Sequence, residues 1–140
     1  GSGIPFDVRM TDYLAYQDIG FKPVVSDGCD GYARCEVRCK ELFQSVELIR
    51  RLISDMPEGG VAVPVKGNPD GEYFSRSEQP RGEVIHYLRG NGTKNLVQFR
   101  VRTPTLTNVP ALVEMLKGCE LADVPQIVLT IDPCIGCMER

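Results

Sequence analysis

The chain has 140 residues, of which 42% are hydrophobic, and its 19 acidic and 16 basic side chains give a formal net charge of −3 at pH 7. This length suits one domain with a buried core, and the scattered basic residues do not form the positive patch of a nucleic-acid-binding protein. No apolar run approaches the roughly 20 residues of a membrane span, and the start shows no secretion signal. The six cysteines are expected in a reduced, cytosolic compartment.

The first thirty residues follow neither a helical nor a strand period. Residues 1–3 are interpreted as an expression scar, which leaves residues 4–140 as the domain. From Ile4 to Asp30 we expect an extended arm that packs through its aromatic side chains. These are Phe6, Tyr13, Tyr16 and Phe21.

A long amphipathic helix is predicted from about Tyr32 to Met56. Its apolar residues recur at positions i, i+4, i+7, i+11 and i+14, which is the spacing of one helical stripe. They are Leu42, Val46, Ile49, Ile53 and Met56. Pro57 and the glycines that follow it end the helix. The charges on the other face are interpreted either as solvated or as a contact with a neighbouring subunit.

A strand-rich region follows the helix. Val61 to Val65 is a short strand candidate, and Lys66 to Gly71 is a loop rich in turn-forming residues. Two further strand-like runs, Glu83 to Leu88 and Leu96 to Arg102, are joined by a segment rich in Gly and Asn. These two runs predict a β-hairpin.

Shorter helices complete the predicted fold. Val109 to Lys117 reads as a helix with Pro110 in its first turn and Gly118 as its C-cap. Val124 to Ile131 is apolar and leads into the last motif. The sequence therefore predicts an α+β fold with one long helix, a β-hairpin and shorter helices.

Residues 132–140, which read Asp-Pro-Cys-Ile-Gly-Cys-Met-Glu-Arg, place a Cys-x-x-Cys pair at a predicted helix start. Asp132 is a good N-cap, Pro133 suits the first helical position, and Cys134 lies where the helix dipole favours a thiolate. Cys137 follows on the same face. Two sulfur ligands on one turn suit zinc, an iron–sulfur cluster or another transition metal, although a closed site usually needs four ligands.

Two other motifs precede this pair. Residues 78–83, Glu-Gln-Pro-Arg-Gly-Glu, hold an arginine between Pro and Gly at the start of a strand, and residues 100–108 read Arg-Val-Arg-Thr-Pro-Thr-Leu-Thr-Asn. From about Asp12 to Arg140 the ordered series resembles the C-terminal part of the large subunit of nickel-iron hydrogenases. The resemblance is closer to the membrane-bound, energy-converting class, which includes formate hydrogenlyase. Large subunits of that class are related to the quinone-site subunit of respiratory complex I, which lacks the terminal cysteines.

The resemblance implies a role for each cysteine of the pair. Cys134 would be a terminal nickel ligand, and Cys137 would bridge nickel and an iron that also carries cyanide and carbon monoxide. A second cysteine pair would come from the N-terminal half of the full subunit. Because nothing here matches that second pair, the chain by itself is expected to be metal-free and without hydrogenase activity.

The resemblance also implies what surrounds the metals. Arg81 would lie beside the cyanide-bearing iron near the hydrogen-binding position. From the sequence alone, an ion pair of Arg81 with Glu78 or Glu83 is an equal interpretation. The loop beside the diatomic ligands would comprise Thr103, Pro104, Thr105 and Asn108. Arg140 would be the end that a maturation protease leaves once nickel is loaded.

Other polar and sulfur-containing residues have plainer interpretations. His86, the only histidine, is interpreted as a structural strand residue. Glu36 and Glu139 are candidate proton-relay carboxylates, but each is interpreted as a solvated charge. Cys35 and Cys39 are interpreted as small buried residues of the long helix, with participation in a metal site as the alternative.

The resemblance therefore implies part of a nickel-iron hydrogenase that interconverts protons, electrons and dihydrogen. The implied partners are an iron–sulfur small subunit, membrane subunits, proteins for nickel insertion and a maturation protease. The implied location is the inner, cytoplasmic face of the cell membrane, where the complex would be peripheral. One alternative is a complex I-type oxidoreductase that acts on a quinone. Another is a non-catalytic zinc module that uses Cys134 and Cys137, either alone or together with Cys35 and Cys39.

Overall fold

The structure is a computed structural model that describes residues 1–11 and 14–139. Its helices are α1 (Gly31–Ser54), α2 (Pro104–Met115), α3 (Val124–Thr130) and α4 (Ile135–Met138). Its strands are β1 (Asp70–Gln79), β2 (Gly82–Asn91) and β3 (Gln98–Arg102). Short 3-10 turns span Val8–Met10, Leu14–Tyr16 and Leu121–Asp123. This set of elements confirms the predicted α+β class.

Helix α1 confirms the predicted long helix. Asp30 caps its start, since its carboxylate accepts a hydrogen bond from the backbone N–H of Ala33 at 2.7 Å. The interpretation of Cys35 and Cys39 as buried is wrong, because both side chains are exposed. The reason is that the chain packs against the other side of α1, where Ala33 and Leu48 are buried.

Three antiparallel strands form one sheet in the order β1-β2-β3. The pairing of β2 with β3, from Ile85 opposite Arg102 to Arg89 opposite Gln98, confirms the predicted hairpin. The sequence interpretation misses β1, which pairs with β2 along its whole length. This strand lies at the edge of the sheet and begins with seven exposed residues, so it has no alternating apolar pattern to reveal it.

The predicted strand from Val61 to Val65 is wrong. This segment forms no strand, and its three valines are exposed. Pro64 has no backbone N–H to contribute to a strand ladder, which explains why the apolar run does not pair with the sheet.

The turn between β1 and β2 holds Arg81 in place. Gln79 pairs with Gly82 across this turn, so Pro80 and Arg81 form a two-residue hairpin loop. Gly82 has a φ of 124°, a conformation that glycine adopts readily and other residues rarely do. A Cβ at Gly82 would also lie 3.4 Å from the Cβ of Pro104, so the hairpin turn lies close to the first residue of α2.

Helix α2 begins earlier than predicted, at Pro104 instead of Val109. Thr103 is its N-cap residue and Pro104 takes a first-turn position, where a missing N–H costs little. Pro110 therefore lies inside the helix. The sequence alone allows either Pro104 or Pro110 in the first turn of the helix. Because Pro110 lies inside the helix, the helix loses one backbone hydrogen bond there. Gly118 follows the end of α2 with a left-handed φ of 73°.

The N-terminal arm packs partly through its aromatic residues. Tyr16 and Phe21 make an edge-to-face contact with ring centroids 5.6 Å apart, and the guanidinium carbon of Arg9 lies 4.3 Å from the centroid of Phe21. Phe6 is exposed, and Tyr13 lies outside the described residues. Across residues 1–11 and 14–139, no helix combines the length and the apolar character needed to cross a membrane.

The buried apolar core is small for a chain of this length. Among residues 1–11 and 14–139 it comprises Val8, Ala33, Leu48, Val84 and Ile131. These residues come from the arm, α1, β2 and the end of α3, so the core joins the first and last parts of the chain to the sheet.

Candidate metal centre

Cys134 and Cys137 lie on the short turn formed by α4. Cys134 is the N-cap residue, and its carbonyl accepts hydrogen bonds from the backbone N–H groups of Cys137 at 3.0 Å and Met138 at 3.2 Å. The prediction that Asp132 caps this helix is wrong. Asp132 has a left-handed φ of 51°, which aspartate tolerates better than most residues, so the chain turns there and the helix begins later.

The surroundings of the Cys134 thiol favour its thiolate form. Its pKa is lowered chiefly because the backbone N–H of Cys137 donates to the sulfur, and next because the Cys137 thiol does so. The charge of Arg81 and the backbone N–H of Gly136 act in the same direction. Both cysteines are partly exposed, so a metal ion can reach an activated sulfur beside a second one.

Arg81 points toward the cysteine turn. Its Nε donates to the backbone carbonyl of Asp132 at 2.8 Å and lies 3.2 Å from a carboxylate oxygen of the same residue. Among the described residues, the alternative pairing with Glu78 or Glu83 is not found. Glu83 instead binds two other arginines, and Glu78 accepts a backbone hydrogen bond from Val8.

Residues of the predicted loop also surround the cysteine turn. Thr105 is fully buried, and its Oγ1 lies 3.4 Å from the backbone N–H donor of Cys134. The hydroxyl of Thr103 donates to the carbonyl of Cys137. Asn108 donates from Nδ2 to the carbonyl of Arg81 at 3.2 Å. Pro104, between the two threonines, is buried. The loop therefore joins the cysteine turn to the arginine turn.

Two arginines that the sequence interpretation does not select also hold this region. Arg34 and Arg38 lie one turn apart on α1 and both bind Thr130, the last residue of α3. Arg34 Nε donates to the Thr130 hydroxyl at 2.9 Å, and Arg38 Nη2 donates to its carbonyl at 2.7 Å. The only sequence signal is the i, i+4 spacing of two arginines, which does not identify a partner more than 90 residues away.

A cavity of about 510 Å³ extends from Asp132 to the N-terminal arm. Asp7, Arg9 and Glu78 are among the residues that line it. Burial raises the pKa of Glu78, and the nearby charge of Asp7 adds to this effect. The hydrogen bond from the backbone N–H of Val8 and the charge of Arg9 oppose it.

His86 and Glu36 have partners outside the cysteine turn. His86 stacks on Phe99 with ring centroids 6.2 Å apart, in keeping with a structural role. Glu36 forms an ion pair with Lys40 at 2.8 Å. Arg140 lies outside the described residues.

The donor set fits half of a soft-metal site. Cys134 and Cys137 supply two sulfur atoms on one turn, and the guanidinium of Arg81 nearby suits a centre with anionic ligands. Within the described residues, no group of three or more His, Cys, Asp or Glu side chains is placed to hold a metal ion. A four-ligand centre at this turn would need further ligands from outside the described residues.

Comparison with known proteins places the chain in a family. A family model described as "Respiratory-chain NADH dehydrogenase, 49 Kd subunit" matches residues 1–68 and 62–140. The chain belongs to this family. Family membership agrees with the resemblance to large subunits related to complex I.

Proteins similar to the chain include hydrogenases and a subunit of a quinone oxidoreductase. The carbon monoxide-induced hydrogenase of Rhodospirillum rubrum is 42% identical over the whole chain, which covers 39% of that protein. The membrane-bound hydrogenase subunit alpha of Pyrococcus furiosus is 37% identical over the whole chain, which covers 37% of it. A subunit of the NADH-quinone oxidoreductase of Dehalococcoides mccartyi is 38% identical over 99% of the chain and 39% of its own length.

A solved structure has the same fold. It is the membrane-bound sulfane sulfur reductase (MBS), an archaeal respiratory membrane complex, one chain of which matches with a TM-score of 0.87 and 31% identity. The match covers 99% of this chain and 40% of that one. The chain thus spans about two fifths of the length of the relatives it matches, and its fold is that part of a large-subunit fold.

Proposed function

We propose that the chain is the C-terminal portion of the catalytic subunit of a nickel-iron hydrogenase, which interconverts protons, electrons and dihydrogen. The observation that carries the proposal is the Cys134–Cys137 turn, with an activated thiol, beside the charge of Arg81. Identity of 42% and 37% to two hydrogenases supports it.

In this proposal Cys134 would hold nickel, and Cys137 would hold the nickel-iron centre beside it. The bound centre, with its cyanide and carbon monoxide ligands and a second cysteine pair from the rest of the subunit, supplies the chemistry that activates hydrogen. Thr105 and Thr103 keep the two cysteines at a fixed separation, since one contacts the backbone of Cys134 and the other that of Cys137.

Arg81 is the proposed electrostatic partner of the centre. Its guanidinium is a permanent cation, and the carbonyl and carboxylate of Asp132 hold it in position before any ligand arrives. A cation that is already oriented stabilises developing negative charge without reorganisation, which favours heterolytic separation of hydrogen. Asn108 fixes the backbone of the same turn from the other side.

The proposed setting is a membrane-attached complex. An iron–sulfur small subunit carries electrons, membrane subunits anchor the assembly at the inner face of the cell membrane, and a maturation protease acts after nickel insertion. Two relatives support this setting through their names, since one is a membrane-bound hydrogenase and the other belongs to a respiratory membrane complex.

A quinone-linked oxidoreductase is the second candidate. It is supported by the family itself and by 38% identity to a component of an NADH-quinone oxidoreductase. We favour the hydrogenase because the quinone-site subunits in the resemblance lack the terminal cysteines, whereas here Thr103 and Thr105 contact the backbone of that pair.

Metal analysis of the native, full-length subunit within its complex tests the proposal. We expect stoichiometric nickel and hydrogen–deuterium exchange activity. Cys134→Ser and Cys137→Ser should each abolish nickel retention and exchange. Cys119→Ser is the matched control, because Cys119 is a partly exposed cysteine whose thiol donates to a carbonyl close by in sequence, and it should keep both. An active native complex that contains no nickel contradicts the proposal.

The zinc-module interpretation makes a separate prediction for the isolated chain. It requires stoichiometric zinc in the purified protein, lost on Cys134→Ser or Cys137→Ser. We expect no stoichiometric metal there, because two thiols without further ligands hold zinc weakly compared with a closed four-ligand site. Zinc that resists dialysis against a chelator and disappears in both variants contradicts this expectation.

A further inference from the structure

Glu78 is a partly buried carboxylate that the proposed centre does not use. It lies three residues before Arg81, near the end of β1, and it lines the cavity of about 510 Å³ that also reaches Asp132. Because Arg81 binds Asp132, this cavity begins beside the guanidinium that is proposed to favour heterolytic separation of hydrogen. Glu78 therefore lies on the wall of a space that leads away from the cysteine turn.

The lining of this cavity is suited to hold water. Its titratable and charged side chains, besides Glu78, are Asp7, Arg9 and Tyr16 of the arm, Arg38 and Glu41 of α1, and Asp132. A polar cavity of this volume has room for several water molecules, since each needs about 30 Å³ and two to four polar partners. Water molecules in such a space can pass protons to and from a titratable side chain.

The charged groups that face Glu78 most directly are paired with other residues. Asp7 accepts two hydrogen bonds from Arg9, at 2.9 and 2.6 Å, and Glu83 of β2 binds two arginines of the sheet. Within residues 1–11 and 14–139, Glu78 forms no ion pair, and it accepts a hydrogen bond from the backbone N–H of Val8 at 3.1 Å. Glu78 can therefore gain or lose a proton without breaking an ion pair.

The environment of Glu78 also suits a group that both accepts and releases protons. Burial raises its pKa, and the charges of Asp7 and Glu83 add to this effect, whereas the hydrogen bond from Val8 and the charge of Arg9 oppose it. A proton carrier is most effective when its pKa lies near the working pH. A raised pKa brings Glu78 closer to neutral pH than the ordinary value of 4.5.

We propose that Glu78 carries protons between the proposed nickel-iron centre and solvent, through water in this cavity. The proposal rests on the proposed function, in which oxidation of one dihydrogen releases two protons and two electrons. The Glu78 carboxylate binds a proton from the cavity water, becomes a neutral carboxyl group and then releases the proton to bulk water. The electrons leave through the proposed iron–sulfur partner, so no further reactant is needed. In hydrogen evolution the protonated carboxyl group supplies the proton.

Exchange between deuterium gas and water, catalysed by the native, full-length subunit within its complex, tests the proposal. Glu78→Gln removes the titratable group and keeps an acceptor for the N–H of Val8. We expect this variant to keep stoichiometric nickel and to exchange more slowly by about tenfold or more. Hydrogen uptake by the parent should fall as the pH falls through the raised pKa of Glu78, because the carboxylate is then already protonated. The variant should lack this step.

An infrared titration of the same complex under inert gas gives a readout that does not depend on turnover. The difference spectrum between the parent and Glu78→Gln should contain a protonated-carboxyl band. This band should disappear as the pH rises through a value above 4.5. A band that titrates at 4.5 or below would contradict the proposal.

Two control variants distinguish proton transfer from a structural role. Glu72→Gln, which changes an exposed glutamate of the same strand, should leave the exchange rate and its pH profile unchanged. Val8→Ala weakens the packing of the arm but keeps the backbone N–H, so it should lower Tm and keep the pH profile. If Val8→Ala changes the pH profile as Glu78→Gln does, Glu78 only holds the arm in place.

The outcomes also separate this proposal from the proposed function. A nickel-containing Glu78→Gln complex that exchanges as fast as the parent overturns the proton-carrier role alone. An active parent complex without nickel overturns the proposed function and, with it, this role.

Discussion

Asp132 connects the two parts of the proposed centre. Its carbonyl and carboxylate both face Arg81, and its left-handed backbone turns the chain so that Cys134 can begin a new helix. A non-glycine residue in this conformation carries a backbone strain of order 1 kcal/mol, which the surrounding contacts must offset. Asp132 therefore holds the guanidinium of Arg81 in position and also directs the backbone that leads to Cys134.

Replacing Arg81 should make the Cys134 thiol less reactive. The charge of Arg81 is one of the causes that lower the pKa of Cys134, although it is smaller than the hydrogen bonds from Cys137. Arg81→Gln should therefore slow alkylation of Cys134 at neutral pH by about threefold, a size typical of one solvent-exposed charge nearby. The measurement is the pH–rate profile of alkylation, resolved at Cys134.

Two controls distinguish charge from packing. Arg81→Lys keeps the charge and should restore most of the reactivity of Cys134, although it cannot reproduce the guanidinium geometry. Arg76→Gln removes an arginine that pairs with Glu83 on the sheet, and it should leave the profile unchanged. An unchanged profile for Arg81→Gln would contradict the electrostatic role of Arg81.

Glu78 should make stability depend on pH. Burial raises its pKa above the ordinary value of 4.5, so ionisation of this carboxyl opposes folding. The stability that the protonated form provides is complete below the ordinary pKa and is lost as the pH rises through the raised value. Glu78→Gln, which can still accept the hydrogen bond from Val8, should therefore raise Tm at pH 7 by about 1–3 °C and leave it unchanged near pH 4.

Thermal melts of both proteins across this pH range measure the effect of Glu78. Glu72→Gln changes an exposed carboxylate of the same strand and is the matched control. A Tm difference between Glu78→Gln and the parent that is equal at pH 4 and pH 7 would remove the basis for this prediction.

The sequence selects residues that lie close together in the structure, but it does not predict what each of them contacts. Cys134, Cys137 and Arg81 follow from motif chemistry and the family resemblance. The partner of Arg81 does not, because Asp132 is 51 positions away and two nearer carboxylates, Glu78 and Glu83, are equally plausible on charge alone.

Among the elements, α1 supports the cysteine turn from a distance. Arg38 donates to the carbonyl of Thr130, two residues before the turn at Asp132. Arg38→Met should cost about 1–2 kcal/mol of unfolding free energy, because a charged hydrogen bond to a partly buried carbonyl is lost. Urea denaturation measures this free energy.

Arg50→Met is the matched control for Arg38→Met, since Arg50 is an exposed arginine of the same helix. It should change the free energy of unfolding by no more than about 0.5 kcal/mol. Equal effects of the two substitutions would mean that Arg38 contributes to helix α1 alone and does not hold Thr130.

The elements divide according to how much each depends on long-range packing. The sequence predicts α1 and the β2–β3 pairing because their apolar periodicity and turn residues are local signals. It misses β1, whose residues form a strand only because β2 provides a partner edge. It also misplaces the start of α2, since either of two prolines satisfies the local rule.

For the whole molecule, the large exposed surface has a measurable consequence. The denaturant m-value scales with the surface gained on unfolding. When folded, this chain exposes 10365 Å², whereas a compact protein of 15.5 kDa exposes about 7,200 Å². We expect an m-value in urea about a fifth below that of a compact domain of equal mass. A compact domain of 15.5 kDa, unfolded under the same conditions, provides the reference. An equal m-value would contradict this large exposed surface.

The cysteine turn is formed by a few consecutive residues, but the residues that hold it in place lie far away in the sequence. The residues that contact its backbone or set its charge, Thr105, Thr103 and Arg81, lie 29 to 51 positions earlier than the residues they bind. A metal ion that meets the chain before these contacts form finds a plain dithiol, which binds thiophilic ions in their usual order of affinity. An ion that arrives afterwards finds a thiol whose acidity and orientation are already set. For the proposed metal centre, the time at which the ion is delivered would therefore help to decide which metal is bound.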